Sequence, residues 1–350
     1  MSDDRKEAEE KMEKAIFISG DGWLAVFDLL APSQLGLGIA LISHRFDFYV
    51  DEHFKTRKWA LGNIAIRSGT KKMEIVKSYY HGKPMPIPQM KLPSKVIGFK
   101  YIWISFIDQN VVAFLHRFRR LFDSCPINLA INTYDDRMLE FALRNIWPVL
   151  GKNIYGMELS VHIFRSLRKF VPSLLNDFPL LRVVNCNYDR FFAEFPPDDS
   201  ANASDEQAVA KWLFTAHPNN VPKVLRCSLD KDDGKWSWKI GVFKEAFANA
   251  SSPSNFIVVI WFPSYFDQSS VEPFDLTNEL TREQLALKRT EYSCRFLLVR
   301  CPIARDVNKW AEWEEEAIGW QIDDQWNKIN IGIGSTNEIE TGSRRKSRRK

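Results

Sequence analysis

The sequence lacks the segments that direct a chain into or across a membrane. No run of 18 apolar residues occurs in its 350 residues, and the charged amino-terminal stretch contains no apolar signal segment. We therefore expect no transmembrane helix and no signal peptide, and a location in the cytoplasm, the nucleus or both.

Five cysteines, at positions 125, 186, 227, 294 and 301, include no Cys-x-x-Cys pair. An odd number without such pairs favours reduced core thiols over a disulfide framework or a zinc site.

Motifs that carry catalysis are also missing. The chain contains no Gly-x-Ser-x-Gly, no P-loop and no Gly-x-Gly-x-x-Gly ahead of a helix, and its six histidines show no metal-ligand spacing. Asp230, Asp232 and Asp233 resemble half of a calcium loop, but Val242 stands about where the closing glutamate is needed. Turn chemistry explains these aspartates better. We therefore expect no enzyme activity, no cofactor and no metal.

Excess positive charge is confined to the last seven residues. The formal net charge is +4, from 48 Lys and Arg against 44 Asp and Glu. Removing the six basic residues of this run leaves 42 against 44, or −2, so we expect no nucleic-acid-binding surface on the rest of the chain. The run is a candidate nuclear-import tail, and a solvated end without function is equally compatible with it. Its basic residues are Arg344, Arg345, Lys346, Arg348, Arg349 and Lys350.

Beyond residue 94 the sequence alternates apolar strands with amphipathic helices. Strands are predicted at residues 96–105, 127–132, 154–159, 181–186, 224–229, 256–262 and 295–300. The strand starts from Ile127 to Leu181 recur about every 27 residues, within the range of leucine-rich repeats. We predict an α/β fold: a short helical domain followed by an irregular leucine-rich-repeat-like array of strands and helices with parallel strands. An α+β domain with a mixed sheet and a doubly wound sheet are the alternatives.

Residues 15–58 contain two short amphipathic helices separated by a proline. Trp23, Val26, Phe27 and Leu30 recur at helical spacing, Pro32 marks the turn, and Ser33 is the predicted N-cap of the second helix. Leu35, Ile39, Ile42 and Phe46 then recur on one face. A segment of about 40 residues is too small to bury this much apolar surface alone. We therefore expect part of that surface to meet another chain.

This stretch resembles an F-box. The first half of the family pattern matches Trp23, Val26, Phe27, Leu30, Pro32 and Leu35, and the closing half matches Leu41, Ile42, Ser43, Arg45 and Phe46. The opening Leu-Pro of the family is replaced by Ile18-Ser19. Most of the chain also resembles the expanded F-box family of plant-parasitic cyst nematodes, through the phrases KVLRCSLD, NFIVVIWF and LLVRCPIARD.

The resemblance implies a non-catalytic substrate-recognition subunit of a Skp–cullin–F-box ubiquitin ligase. Its helical box would bind a Skp-type adaptor and through it a cullin, and its α/β region would bind a target protein of unknown identity. We expect a monomer within that complex, with no nucleic acid and no membrane. An adaptor-independent interaction scaffold is the alternative. The adaptor-binding residues implied are Ile18, Trp23, Phe27, Leu30, Pro32, Leu35, Leu41, Ile42 and Phe46.

The domain organisation follows from these patterns. We predict a polar, disordered segment at 1–14, the box at 15–58, a strand with a proline-rich connector at 59–93, the α/β region at 94–333 and a disordered basic tail at 334–350. Two further segments are open to interpretation. The residues after Phe274 fit a capped helix or an edge strand, and the tryptophans between Trp310 and Trp326 fit core packing or, for an exposed subset, a protein anchor.

Overall fold

The computed structural model describes residues 18–30, 32–56, 59–69, 73–76, 84–85, 96–133, 135–229, 236–262, 271–291 and 294–332. The segments predicted to be disordered, the basic run and the aspartates at 230–233 lie outside these residues. The chain divides into two compact units. The helical unit comprises residues 1–62 and 92–97, and the sheet unit comprises residues 63–91 and 98–350. Among the described residues, no helix combines the length and apolar character of a membrane span.

The helical unit is built from short helices. They are α1 (Gly20–Phe27), α2 (Pro32–Leu37), a 3₁₀ turn (Ile39–Leu41) and α3 (His44–Thr56). Ser19 caps α1, because its hydroxyl accepts a hydrogen bond from the Gly22 amide at 3.2 Å. The prediction of Ser33 as an N-cap is wrong: α2 already begins at Pro32, whose fixed φ and missing N–H suit the first helical position. The second predicted helix is also divided, because the 3₁₀ turn separates α2 from α3.

Aromatic side chains form much of the core of the helical unit. Phe27, Leu35, Val50 and Phe54 are buried together. Around them, Trp23 meets the ring of Phe46 edge-on, with 4.8 Å between ring centroids and 85° between planes. Such edge-to-face pairs contribute about 0.5–1.5 kcal/mol beyond the area they bury. The apolar stripes seen in the sequence therefore serve first to hold the helices of this unit together.

The described strands form one 13-stranded mixed sheet. In chain order they are β1 (Trp59–Ser68), β2 (Met73–Val76), β3 (Pro84–Met85), β4 (Val96–Ile104), β5 (Ile127–Ile131), β6 (Ile154–Glu158), β7 (Val183–Arg190), β8 (Lys223–Ser228), β9 (Phe256–Trp261), β10 (Phe274–Asn278), β11 (Glu283–Arg289), β12 (Arg295–Pro302) and β13 (Lys328–Ile331). Their order across the sheet is β10-β11-β12-β9-β8-β7-β6-β5-β13-β4-β1-β2-β3.

The middle of the sheet is a parallel strand–helix array. Strands β5 to β9 are neighbours in chain order and parallel. This run of neighbours has no reversal of strand order of the kind a doubly wound sheet requires. The helices are α4 (Gln109–Ser124), α5 (Asp136–Asn145), α6 (Trp147–Leu150), α7 (Val161–Arg168), α8 (Asp205–Leu213), α9 (Trp236–Ala248) and, after β12, α10 (Val307–Gly319).

The prediction of one array with parallel strands over the whole α/β region needs correction, because the order of consecutive parallel strands is confined to this middle part. Strands β10, β11 and β12 pair antiparallel, because the segments between them are too short for a crossover helix. Strand β13 returns from the end of the chain and lies parallel between β4 and β5. The mixed sheet, which was our alternative, is therefore the arrangement that the described residues form.

Two predictions about strands in ambiguous segments have clear outcomes. The strand predicted at the start of the connector is confirmed as β1, but the connector also contains β2 and β3, which join the sheet through antiparallel pairs such as Ile66 with Ile75. After Phe274, the edge-strand alternative is correct and the helix alternative is wrong, since β10 lies at the end of the strand order.

Helices cover both faces of the sheet. On one face, Trp310 and Trp320, from α10 and its end, are buried against strand residues such as Val183 and Val259. Successive strand residues point to opposite faces, so Phe256 belongs to the other face, where the Phe243 ring of α9 lies 5.7 Å away. Core packing is therefore the role of Trp310 and Trp320, whereas Trp326 is exposed. A strand–helix array with helices on one side only does not have this second layer.

Candidate functional site

The helical unit exposes large apolar side chains that its core does not take up. They are Val26 (40% exposed), Leu29 (85%), Leu41 (64%), Ile42 (63%) and Phe48 (59%). We call these five side chains the apolar surface. Each comes from α1, the turn after it, the 3₁₀ turn or α3. Single exposed apolar residues are ordinary, whereas contiguous exposed apolar patches on proteins often mark interaction sites.

The 3₁₀ turn explains why Leu41 and Ile42 face solvent. Hydrogen bonds from the Leu41 amide to the Gly38 carbonyl (3.2 Å) and from Ile42 to Ile39 (3.1 Å) hold the turn. A Cβ at Gly38 would lie 2.7 Å from the Gln34 carbonyl oxygen, so only glycine allows this close approach. Ile39 packs against the core, and the tighter turn directs the two residues after Ala40 outwards.

The predicted adaptor-binding residues fall into three groups. Phe27 and Leu35 are buried at 1% and 0% exposure, so they stabilise the unit from inside. Leu41 and Ile42 belong to the apolar surface, and the side chain of Pro32 lies outside the described residues. The others are half-buried, and Trp23, Leu30 and Phe46 among them pack against the core: Ile18, Trp23, Leu30 and Phe46.

Sequence reasoning missed two members of the apolar surface, Leu29 and Phe48. Leu29 was passed over because it lies off the stripe that Trp23, Val26 and Leu30 define. Phe48 stands in the run His44–Thr56, beside polar residues such as Asp47, on the exposed side of α3. A large apolar residue on the polar side of an amphipathic helix was the available signal for Phe48, and a large apolar residue in a turn was the signal for Leu29.

Charged and polar groups lie on the same helices as the apolar surface. The Arg45 guanidinium donates to the Tyr49 hydroxyl at 3.4 Å and lies 5.5 Å from the centre of its ring. Asp28 and His53 approach to 3.7 Å. Protein interfaces commonly combine apolar side chains at the centre with polar groups around them. The helical unit therefore offers both parts of such an interface.

The described residues offer little for metal or nucleophilic chemistry. They contain no group of three or more His, Cys, Asp or Glu side chains arranged for a metal ion. The five cysteines carry thiols rather than disulfides, and Cys186, Cys227 and Cys301 are buried. Burial raises the pKa of Cys227 to about 12 and that of Cys301 to about 11. Both thiols therefore stay protonated at neutral pH and are poor nucleophiles.

Comparisons of the chain with protein-family models, with curated proteins and with solved structures found no match. The features that bear on function are therefore those of the chain itself. They are the apolar surface of the helical unit and the cavities of the sheet unit.

Proposed function

We propose that the chain is the substrate-recognition subunit of a Skp–cullin–F-box ubiquitin ligase. The helical unit binds the Skp-type adaptor, and the sheet unit binds the target protein. The observation that carries the proposal is the exposure of Leu29, Leu41 and Ile42 on a unit whose residues resemble an F-box. In this role the chain is one monomer of the complex and acts in the cytoplasm or the nucleus.

Burial of apolar area supplies the affinity for the adaptor. Full burial of a leucine or isoleucine side chain contributes about 1.5–3 kcal/mol, and a standard interface buries about 1,600 Å² in total. Three or four such side chains contribute about 5–12 kcal/mol before the costs of association are subtracted, and contacts elsewhere in the interface add to this. The chain itself performs no covalent step. It accelerates ubiquitin transfer by holding the target close to the ubiquitin-loaded partner, which raises the effective concentration of the reacting groups.

The direct test is binding of the full chain to a purified Skp-type adaptor, measured by co-purification and calorimetry. We expect the double variant Leu41→Ser with Ile42→Ser to bind at least about tenfold more weakly than the native chain, because it loses more than about 1.4 kcal/mol of apolar burial. Leu280→Ser is the matched control, since Leu280 is 74% exposed in the turn between β10 and β11 of the sheet unit. It should bind as the native chain does.

Two outcomes would count against the proposal. Native affinity in the double variant would show that the apolar surface is not the adaptor site. Absence of binding by a folded native chain would leave the adaptor-independent scaffold as the better description. In that case the replacement of Leu-Pro by Ile18-Ser19 is the first difference to reverse.

A further inference from the structure

A cavity of about 420 Å³ lies beside the loop that leaves the carboxyl end of β7. We call it the β7 pocket. Its lining includes Phe192, Glu194 and Phe195 from that loop, Glu206 from α8, and Trp238 and Lys239 from α9. In α/β sheets, ligands commonly bind in crevices outside the carboxyl ends of the strands. The pocket combines apolar walls with a few charged groups, as ligand sites do.

Hydrogen bonds hold one carboxylate of the pocket, that of Glu194, and tie its loop to α8. The Ser204 hydroxyl donates to Glu194 Oε2 at 3.0 Å, and the Glu194 amide donates to the Glu206 carbonyl at 3.1 Å. The Gln207 side chain also donates to the Pro196 carbonyl at 3.1 Å, which ties the loop to α8. The Glu194 carboxylate is therefore positioned before any ligand arrives, and a ligand loses less free energy in ordering it.

The charge of the pocket favours a cation. Burial raises the pKa of Glu206, and the neighbouring Asp205 and Glu194 raise it further, while Lys239 lowers it. Two carboxylates and one ammonium leave the lining with one net negative charge. An anion would find fewer donors at the start of α8, because the capping box already engages the Ser204 and Gln207 amides there.

Aromatic rings favour a planar cation over a compact one. The indole of Trp238 is 59% exposed at the pocket. Phe195 is fixed by edge-on contacts with Phe214 and Phe243, at 5.1 and 5.2 Å between ring centroids. A guanidinium can stack on an indole and donate two parallel hydrogen bonds to a carboxylate, whereas a lysine ammonium acts as a point charge.

We propose that the β7 pocket binds an arginine side chain of a polypeptide. The guanidinium lies against Trp238 and donates to Glu194 and Glu206. This inference extends the proposed receptor function, because the polypeptide is then the target protein. Its test uses no adaptor, so either proposal can fail without the other.

The test is calorimetric titration of the full chain with acetyl-Gly-Arg-Gly-amide and with the same peptide carrying citrulline, the neutral isostere of arginine. We expect the arginine peptide to bind at least about tenfold more tightly, a difference of about 1.4 kcal/mol. Glu194→Gln and Glu206→Gln should each remove most of that difference. Lys239→Met should strengthen binding severalfold, because it removes the cation that competes for the two carboxylates.

Glu312→Gln is the matched control, since it removes one negative charge from α10, on the opposite face of the sheet. It should leave the affinity unchanged. On acidification, the affinity for the arginine peptide should fall at a higher pH than it would if the pKa of Glu206 were that of an ordinary glutamate. In Glu206→Gln, this displacement of the pH profile should be absent. Equal behaviour of the two peptides, including no binding of either, would overturn the proposal. So would a Glu312→Gln effect as large as that of the pocket variants.

Discussion

The two units of this chain solve opposite packing problems. The helical unit leaves large apolar side chains such as Leu29 and Leu41 in solvent, whereas the sheet unit buries charged side chains such as Arg226 and Arg300 completely. A small unit has too little interior for its apolar residues, and a large one has interior to spare. The apolar side chains that the helical unit leaves in solvent are the ones that we propose for binding. The buried charges of the sheet unit are tolerated because each of these side chains has hydrogen-bond partners.

Buried arginines in the sheet unit organise the layer that α10 forms. Arg226 donates to the carbonyls of Ala317 and Ile318, at 2.5 and 2.9 Å, at the end of that helix, where a cation also complements the helix dipole. Arg182 donates to both carboxylate oxygens of Glu316, at 2.9 and 2.8 Å. These contacts cross from strands to helix, so they set where α10 lies on the sheet.

Breaking the buried ion pair between Glu283 and Arg300 should produce the largest loss of stability. The loss should be confined to the sheet unit, which contains both residues. Glu283 and Arg300 are 1% and 0% exposed and approach to 2.5 Å. Glu283→Gln leaves the Arg300 charge unpaired, which should cost about 3–5 kcal/mol in urea unfolding of the sheet unit. Glu279→Gln, in the exposed turn after β10, is the control and should change stability by less than about 0.5 kcal/mol. A loss below about 1 kcal/mol for Glu283→Gln would mean that the pair is not important for stability.

Replacing a buried lysine should stabilise the same unit. Burial lowers the pKa of Lys223 from 10.5 to about 7, and the Lys223 ammonium donates a hydrogen bond to the Trp212 carbonyl, at 2.6 Å. The shift corresponds to about 4–5 kcal/mol at neutral pH, and loss of the hydrogen bond subtracts about 1–2. Lys223→Met should therefore add about 3 kcal/mol to the free energy of unfolding at pH 7.

The pH dependence checks the cause of that gain. Above a pH of about 7 the folded chain has released the Lys223 proton, while the unfolded chain keeps it up to a pH of about 10.5, so native stability rises with pH across this window. The gain from Lys223→Met should shrink in parallel and vanish near the upper end. Lys211→Met, at an exposed position of α8, should show no such trend. A gain that is constant with pH would exclude desolvation of the ammonium as its source.

The sequence predicted the strands of the sheet better than their arrangement. Apolar runs located β4 to β9 and β12 because each of these strands is a short, largely buried segment whose apolar composition is visible locally. The place of β13 between β4 and β5 depends on contacts far apart in sequence. The Asn327 amide donates to the Phe99 carbonyl at 2.8 Å, and the Asn128 amide donates to the Asn327 carbonyl at 3.1 Å. No local periodicity encodes such a return, so this strand was overlooked.

The candidate surface was predicted in part for a similar reason. Helical spacing correctly grouped Phe27 and Leu35 with the apolar stripes of the box, but a stripe does not say whether it faces a core or a partner. The exposure of Leu41 and Ile42 arises at the turn after Gly38, where the assumption of one continuous helix fails. The β7 pocket escaped sequence reasoning entirely, because it joins residues of a loop and two helices that no motif connects.

The smallest effect on stability should come from the surface that matters most for binding. Leu41→Ser with Ile42→Ser removes side chains that are already about two-thirds exposed. The free energy of unfolding of the helical unit should therefore stay within about 0.5 kcal/mol of native, and its helix content and resistance to proteolysis should not change. Leu35→Ala, at a fully buried position, should instead cost about 2–5 kcal/mol and expose the unit to protease. Equal damage by both changes would show that Leu41 and Ile42 support the fold rather than a partner, and the contrast between the two units would then lose its functional meaning.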